Sequence, residues 1–235
     1  MAALSQRLGE VRSRIAAAGA RAGRDASTVT LLAVTKSVDI ELVRAAIDLG
    51  LIDLAENRVQ EAEARVADLP QAHWQLVGHL QSNKVTRAVA LFEGVQSVDS
   101  VELAQRLARA ATEQGRAPYP VYLQVNVDRD AAKTGFDPAA LGDALPQISD
   151  LTGLEVRGLM TVGRQVRRAQ DARPTFVALR ELAARLRDHE PRLGTGLSMG
   201  MSDDFEIAVE EGATVVRIGR ALFGERPAKP ILDHQ

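Results

Sequence analysis

The sequence contains no cysteine. Disulfides, thiolate metal sites and a cysteine nucleophile are therefore excluded, and the compartment stays open. Neither sign of charge is in excess. The formal net charge is −2 over 235 residues, so no general attraction to nucleic acid or to an anionic membrane is expected. No apolar run is long enough to cross a bilayer. No Pro/Gly/Ser linker, internal repeat or low-complexity segment interrupts the chain. Lysine is scarce. Of 29 basic residues four are lysines, Lys36, Lys84, Lys133 and Lys229, and the rest are arginines. A chain that uses Arg almost wherever it needs positive charge keeps Lys where Arg cannot serve. Lys can lose its proton and attack a carbonyl, whereas Arg stays protonated. Codon bias alone accounts for Lys229 in the tail.

What is present is an ordinary globular mixture, 46% apolar and 26% charged. The N-terminus, MAALSQRLGEVRSRIAAAGARAGRD, has the Arg and Ala content of a mitochondrial presequence. However, Leu4, Leu8, Val11 and Ile15 fall on one helical face and Glu10 is acidic, which predicts an amphipathic helix packed on the domain. A cytoplasmic protein is expected.

Short apolar strands then alternate with helical patterns: TLLAVT (30–35), LIDLAE (51–56), HWQLVG (73–78), GVQSVD (94–99), PVYLQVNV (120–127), LEVRGLMTV (154–162), GLSMG (196–200) and TVVRIG (214–219). Helices are predicted after each, including one starting at Ser100, one entered at Pro138, one from about Asp171 and a short one from Ser202. Strands separated by helices pair in parallel. Eight such units in about 200 residues suit a (β/α)8 barrel. A doubly wound sheet would carry a Gly-rich turn after its first strand, where this chain has TKSVD. The expected architecture is a single (β/α)8 TIM barrel domain over 1–235 with an extra N-terminal helix.

Active sites of such barrels lie at the C-terminal strand ends. There the chain places Lys36, Glu56 with Asn57, Gly78 with His79, Asp99, Asn126, Met160 with Thr161, Ser198 with Gly200 and Ser202, and Arg217 with Gly219. Lys36 has the parity of Leu32 and Val34 and so extends an apolar row. Apolar surroundings destabilise an ammonium, and a neutral amine forms a Schiff base with an aldehyde or ketone. By position alone Lys36 reads equally as a rim lysine reaching solvent. Two small-residue turns near the end of the chain, Gly200-Met201-Ser202 and Gly219-Arg220, have the form that binds phosphate after strands 7 and 8. Ser202 would add a hydroxyl, or serve only as an N-cap. Arg217, inside VVRIG, must be paired or face a ligand, with Glu56 as one possible partner. An aldehyde at one end and a phosphate at the other describe pyridoxal 5′-phosphate or a sugar phosphate.

The segments LLAVTK, AENRVQE, HWQLVGHLQSNK, SVDS, QVNVDRDAAKTGF, GLMTV and LSMGMSDDFEIAVEEGATVVRIGRALFG, in that order, resemble the YggS/PROSC family of pyridoxal phosphate homeostasis proteins. The resemblance runs from about residue 3 to 226. It implies the barrel of alanine racemase-type N-terminal domains, with pyridoxal 5′-phosphate held as an aldimine on Lys36. It also implies phosphate contacts from Ser202 and the backbone of Gly219 and Arg220, Arg217 facing the pyridine nitrogen, and Asn57 near the ring. An arginine there keeps the nitrogen unprotonated and the ring a weak electron sink. The chain departs from the family in having Ala55-Glu56-Asn57-Arg58 for the usual Gly-Glu-Asn-Tyr, Thr35 where Ser is common, and His79 after the glycine.

Racemisation needs an acid or base on each face of the ring, and alanine racemase-like enzymes take the second from a further β domain. This chain has about 11 residues after Gly224, too few for one. The expected function is a non-enzymatic carrier or buffer of pyridoxal phosphate, acting in vitamin B6 and amino-acid balance, with apo pyridoxal phosphate enzymes as possible recipients. The alternative is a low-activity racemase or lyase using Lys36, with His79 or Tyr122 as acid; amino-acid α-proton exchange separates the two. Lys84 and Lys133 would form a basic rim that passes the cofactor in or out, or are simply solvated. The Arg-rich stretch 164–173 reads as a solvated helix face or a docking surface.

Overall fold

Eight parallel strands close on themselves in sequence order, so that the last strand pairs with the first. The structure is a computed structural model that describes residues 1–225; Lys229 and the rest of the tail lie outside them. In chain order the elements are α1 (Ala2–Arg21), β1 (Thr30–Val34), α2 (Ile40–Asp48), β2 (Asp53–Glu56), α3 (Val59–Asp68), β3 (His73–Leu76), α4 (Val85–Leu91), β4 (Gly94–Val98) and α5 (Val101–Glu113). They continue with β5 (Tyr119–Gln124), α6 (Pro138–Ser149), β6 (Leu154–Met160), α7 (Arg173–His189), β7 (Gly196–Ser198), α8 (Phe205–Glu210), β8 (Val215–Ile218) and α9 (Arg220–Phe223). The expected barrel with its extra first helix is the observed fold. No helix among the described residues is long and apolar enough to cross a membrane.

The alternation of each strand divides the apolar residues into two layers. Ala33, Leu54, Trp74, Leu76, Val95, Val121, Leu123 and Val216 face outward and join the helices in one large core. Leu32, Ala55 and Val215 face inward, with Val34, Val77 and Tyr122 packed on them. The row that Lys36 extends is therefore the barrel interior.

Local signals set the helix starts. Asp39 and Ser100 cap α2 and α5 by accepting from the N–H of Glu41 at 2.9 Å and of Leu103 at 3.2 Å. Leu4, Leu8, Val11, Ile15 and Ala18 of α1 are buried as one stripe, which lies on α8 and α9. Ion pairs reinforce this contact: Arg14 to Glu206 at 2.7 Å, Arg21 to Glu210 at 2.7 Å, and Arg173 of α7 to both Glu210 (2.5 Å) and Glu211. A network of this kind outweighs isolated surface pairs. Its effect here is to seat α8, and with it the loop after β7, against α1 and α7.

Several strands are a residue or two shorter than expected, and three further differences bear on the loops at the mouth. β5 ends at Gln124 rather than 127, because the Asn126 side chain ties its own loop: Nδ2 donates to Asp130 O at 2.9 Å and Oδ1 accepts from Asp130 N at 3.1 Å. Competition of this sort takes backbone out of a ladder. The short helix after β7 starts at Phe205, not Ser202. The Arg-rich stretch 164–173 is not a helix face. It is loop and a single 3-10 turn (Ala169–Ala172) before α7, whose entry is set by Pro174 in its first turn.

Candidate functional site

At the end of β1 the chain turns rather than running straight into α2. Val38 N–H donates to Thr35 O at 2.9 Å, and Ser37 takes a left-handed φ of 61°. Lys36 sits in this turn, half-buried, at the C-terminal mouth of the barrel. Across the mouth, the two small-residue turns lie against each other. Gly200 has φ 92°, and an added Cβ would come 2.5 Å from Ala208 Cβ, so glycine is required both by conformation and by space. Met201 N–H donates to Asp204 Oδ1 at 2.7 Å, which tightens the first turn. Ser202 does not cap α8. Its Oγ accepts from Ala221 N–H at 3.2 Å, so it joins the first turn to the start of α9. Outside, Arg220 pairs with Asp203.

Arg217 forms the floor. It is 4% exposed, and both ends of its fork are used: Nη1 donates to Ser198 Oγ at 2.8 Å and Nη2 to Thr161 O at 2.7 Å. Ser198 Oγ in turn donates to Gln96 Oε1 at 2.6 Å, and Gln96 Nε2 to Gln75 Oε1 at 2.5 Å. A polar chain therefore crosses the barrel beneath the mouth. Burial pushes the Arg217 guanidinium down to about 10, against the pull of the Asp204 charge. Burial likewise pushes the Asp204 carboxyl up, opposed by the Met201 N–H and by Arg217. The ion pair of Arg217 with Glu56 weighed from the sequence does not form. Glu56 is engaged by Thr35 Oγ1 at 2.5 Å and faces Arg65 at 3.5 Å.

A cleft of about 560 Å³ lies between these parts. Lys36, Asn57, Ser202, Arg217, Gly219 and Arg220 all line it, with Val34, Val77, Val162 and Met201 as apolar walls. All six residues singled out in the sequence thus meet in one space. A second, wider cleft of about 940 Å³ shares Lys36 and Asn57 and extends past Arg58, His79 and Lys84. His79 Nδ1 lies 3.2 Å from Asp99 Oδ2 and its side chain is 55% exposed. Tyr122 lines neither cleft; it packs with Leu32 and Ala55 inside the barrel, and burial pushes its phenol up. Lys84 lines the wider cleft with Lys36, and Lys133 donates at 3.3 Å to the carbonyl of Val162, a wall of the smaller one.

The sequence reading missed Gln75, Gln96, Arg65 and Asp204. The glutamines had a signal: each is a polar residue inside an otherwise apolar strand, at a position facing inward. Asn57 also depends on a neighbour without any side chain. A Cβ on Gly78 would meet Asn57 O at 2.1 Å and Asn57 Cα at 2.8 Å, and that backbone cannot give way as a flexible side chain would. Gly78→Ala is expected to cost about 2 kcal/mol by forced backbone shift, read as a lower urea midpoint, and to displace Asn57 from the cleft wall.

The family model of the alanine racemase N-terminal domain matches residues 7–227. The chain belongs to this family. Within it, a protein of Pseudomonas aeruginosa named pyridoxal phosphate homeostasis protein is 43% identical over 229 residues, which is 96% of this chain and 97% of that one. PipY of Synechococcus elongatus, solved with PLP bound, is 41% identical and superposes with a TM-score of 0.84 over 94% of this chain and 100% of its own. An alanine racemase of Clostridium difficile has a TM-score of 0.77 at 14% identity, over 99% of this chain and 62% of the racemase. That last likeness is one of fold.

Proposed function

We propose that this member of the alanine racemase N-terminal domain family binds pyridoxal 5′-phosphate covalently through Lys36 and carries or buffers it in the cytoplasm without turning over amino acids. The observation that carries the reading is the 560 Å³ cleft, which sets an amine at one end and a hydroxyl-lined double turn at the other. The residues fit the group. Lys36 would take the aldehyde, Ser202 with the backbone of Gly219 and Arg220 the phosphate, and Asn57 and the valines the ring. Arg217, held on two acceptors, would meet the pyridine nitrogen. The names of the relatives and the PLP-bound PipY structure support pyridoxal phosphate as the ligand.

When bound, the cofactor supplies a carbonyl for amine capture and a ring that withdraws electrons. This chain's residues favour the first and weaken the second. A guanidinium at the ring nitrogen opposes its protonation, where a carboxylate would promote it. His79 is tied to Asp99 in the wider cleft, and Tyr122 is packed below the mouth. Neither stands as a proton donor in the smaller cleft. Delivery to apo pyridoxal phosphate enzymes is part of this proposal, with the wider cleft as the route open to an incoming amine.

The test is a visible spectrum of the protein loaded with pyridoxal phosphate, before and after borohydride reduction, followed by mapping of the modified peptide. A band abolished by reduction and a label confined to Lys36 are expected. A protein that cannot be loaded, or a label spread over Lys84 and Lys133, would sink the reading.

A further inference from the structure

Behind the Lys36 turn lies a buried charged pair that lines neither cleft. Arg65, on α3, is 18% exposed at its side chain. Its Nη1 donates to Thr35 O at 3.1 Å and its Nη2 to Val38 O. These two carbonyls bracket Lys36 and Ser37. Glu56, at the end of β2, is fully buried. Its Oε1 accepts from Thr35 Oγ1 at 2.5 Å and lies 3.5 Å from Arg65 Nη1, while its Oε2 is buried without a hydrogen-bond partner.

This arrangement is costly for a purely structural role. A buried carboxylate oxygen without a donor loses its hydration and regains nothing. Burial pushes the Glu56 carboxyl up, and Thr35, Arg65 and the Asn57 N–H pull it back only in part. A glutamine would accept from Thr35 without the charge. What the charge adds is a counterion for Arg65 inside the protein, and what Arg65 adds is a planar fork that holds two carbonyls at once. The held segment contains Ser37 in a left-handed conformation that a non-glycine residue enters only under constraint.

Resting on the cofactor reading above, we propose that Arg65 and Glu56 are positioning residues for Lys36: together they lock the Thr35–Val38 turn so that the Lys36 amine is presented to an aldehyde in the cleft. Neither lines the cleft itself. Thr35 completes the lock through its hydroxyl. The unit spans β1, β2 and α3, so the start of α3, which walls the wider cleft, is tied to the same turn.

The test compares two ligands on the full-length protein. Pyridoxal 5′-phosphate can bond to Lys36; pyridoxine 5′-phosphate has an alcohol in place of the aldehyde and cannot. Arg65→Gln, Arg65→Lys, Glu56→Gln and the double Arg65→Gln/Glu56→Gln variant are titrated with each. Arg65→Gln is expected to weaken pyridoxal phosphate roughly tenfold, the scale of losing hydrogen bonds to a charged group, and to leave pyridoxine phosphate within about twofold of wild type. Arg65→Lys should recover part of the loss, since an ammonium reaches one carbonyl well but not two. The double variant should be no worse than Arg65→Gln alone, because the two residues act as one unit. Equal weakening of both ligands would mean a general packing defect and would overturn the proposal, as would unchanged binding of both. Should Arg65→Gln fail to fold, Arg65→Lys and Glu56→Gln give the same ratio of ligand affinities. A wild type that fixes no cofactor on Lys36 overturns the cofactor reading first; a wild type that does, with variants showing no selective loss, overturns the lock alone.

Discussion

Lys36→Ala protein is expected to be colourless under conditions in which the wild type is yellow, with complete loss of the borohydride-reducible band. The expectation rests on how few amines could substitute. The described residues hold three lysines, and Lys36 alone lines the smaller cleft. Lys84 opens into the wider cleft, and Lys133 is held by Val162 O and Asp130. The two turns across the mouth do not depend on Lys36. Gly200, Ser202 and Ala221 keep their contacts, so weak non-covalent binding of the cofactor should survive and be detectable by equilibrium dialysis. Stability should change by about 1 kcal/mol or less, as expected for a substitution outside the core. A borohydride-fixed label retained in Lys36→Ala would move the covalent site elsewhere.

Arg217→Ala is expected to have the second large effect, on stability and binding together. The residue is 4% exposed and donates to Ser198 Oγ and Thr161 O. Truncation leaves both acceptors without a donor, opens a cavity and removes the cation that opposes the raised Asp204 carboxyl. A loss of about 3 kcal/mol is expected, in the range for breaking a buried charged contact, measured by urea denaturation. Its pH dependence follows from Asp204. A carboxyl whose pKa is raised on folding binds more protons in the native state, so its penalty is absent below its unfolded pKa. The penalty grows as pH rises through the folded value. Without Arg217 the penalty is larger. The deficit of Arg217→Ala relative to wild type should therefore be greatest near neutral pH and shrink in mild acid. A deficit independent of pH would show that Asp204 does not sense Arg217. Arg217→Lys should restore the charge but only one of the two hydrogen bonds, and so recover the pH dependence more fully than the stability.

The barrel itself was legible because its signal is local and repeated. Each strand is a short apolar run ended by a polar residue, and each helix has its own apolar face; TLLAVT and VELAQRLARAA need no distant partner to be recognised. The six cleft residues were legible for a related reason. In a closed parallel barrel every strand end reaches the same mouth, so residues as far apart as Lys36 and Arg217 converge once the strand count is known. Lys36 gained further weight from the scarcity of lysine around it.

Other features depended on contacts between segments distant in sequence. Ser202 has the look of an N-cap for the helix that follows it, yet it accepts from Ala221, because the two turns pack together and Met201 and Asp204 have already closed the first. Glu56 and Arg217 could pair on charge alone; β2 and β8 instead place them in separate networks, one with Arg65 and one with Ser198. Arg65 looks like one more surface arginine in an Arg-rich chain, until α3 packs so that its fork falls on the carbonyls of Thr35 and Val38. The sequence by itself determined the fold class, the mouth of the barrel and the lysine that stands there, since periodicity and residue chemistry are properties of single segments. Only the tertiary structure decided which partners hold the turn that carries that lysine and the floor beneath it, because a hydrogen bond or an ion pair depends on where two segments meet, and that is set by packing.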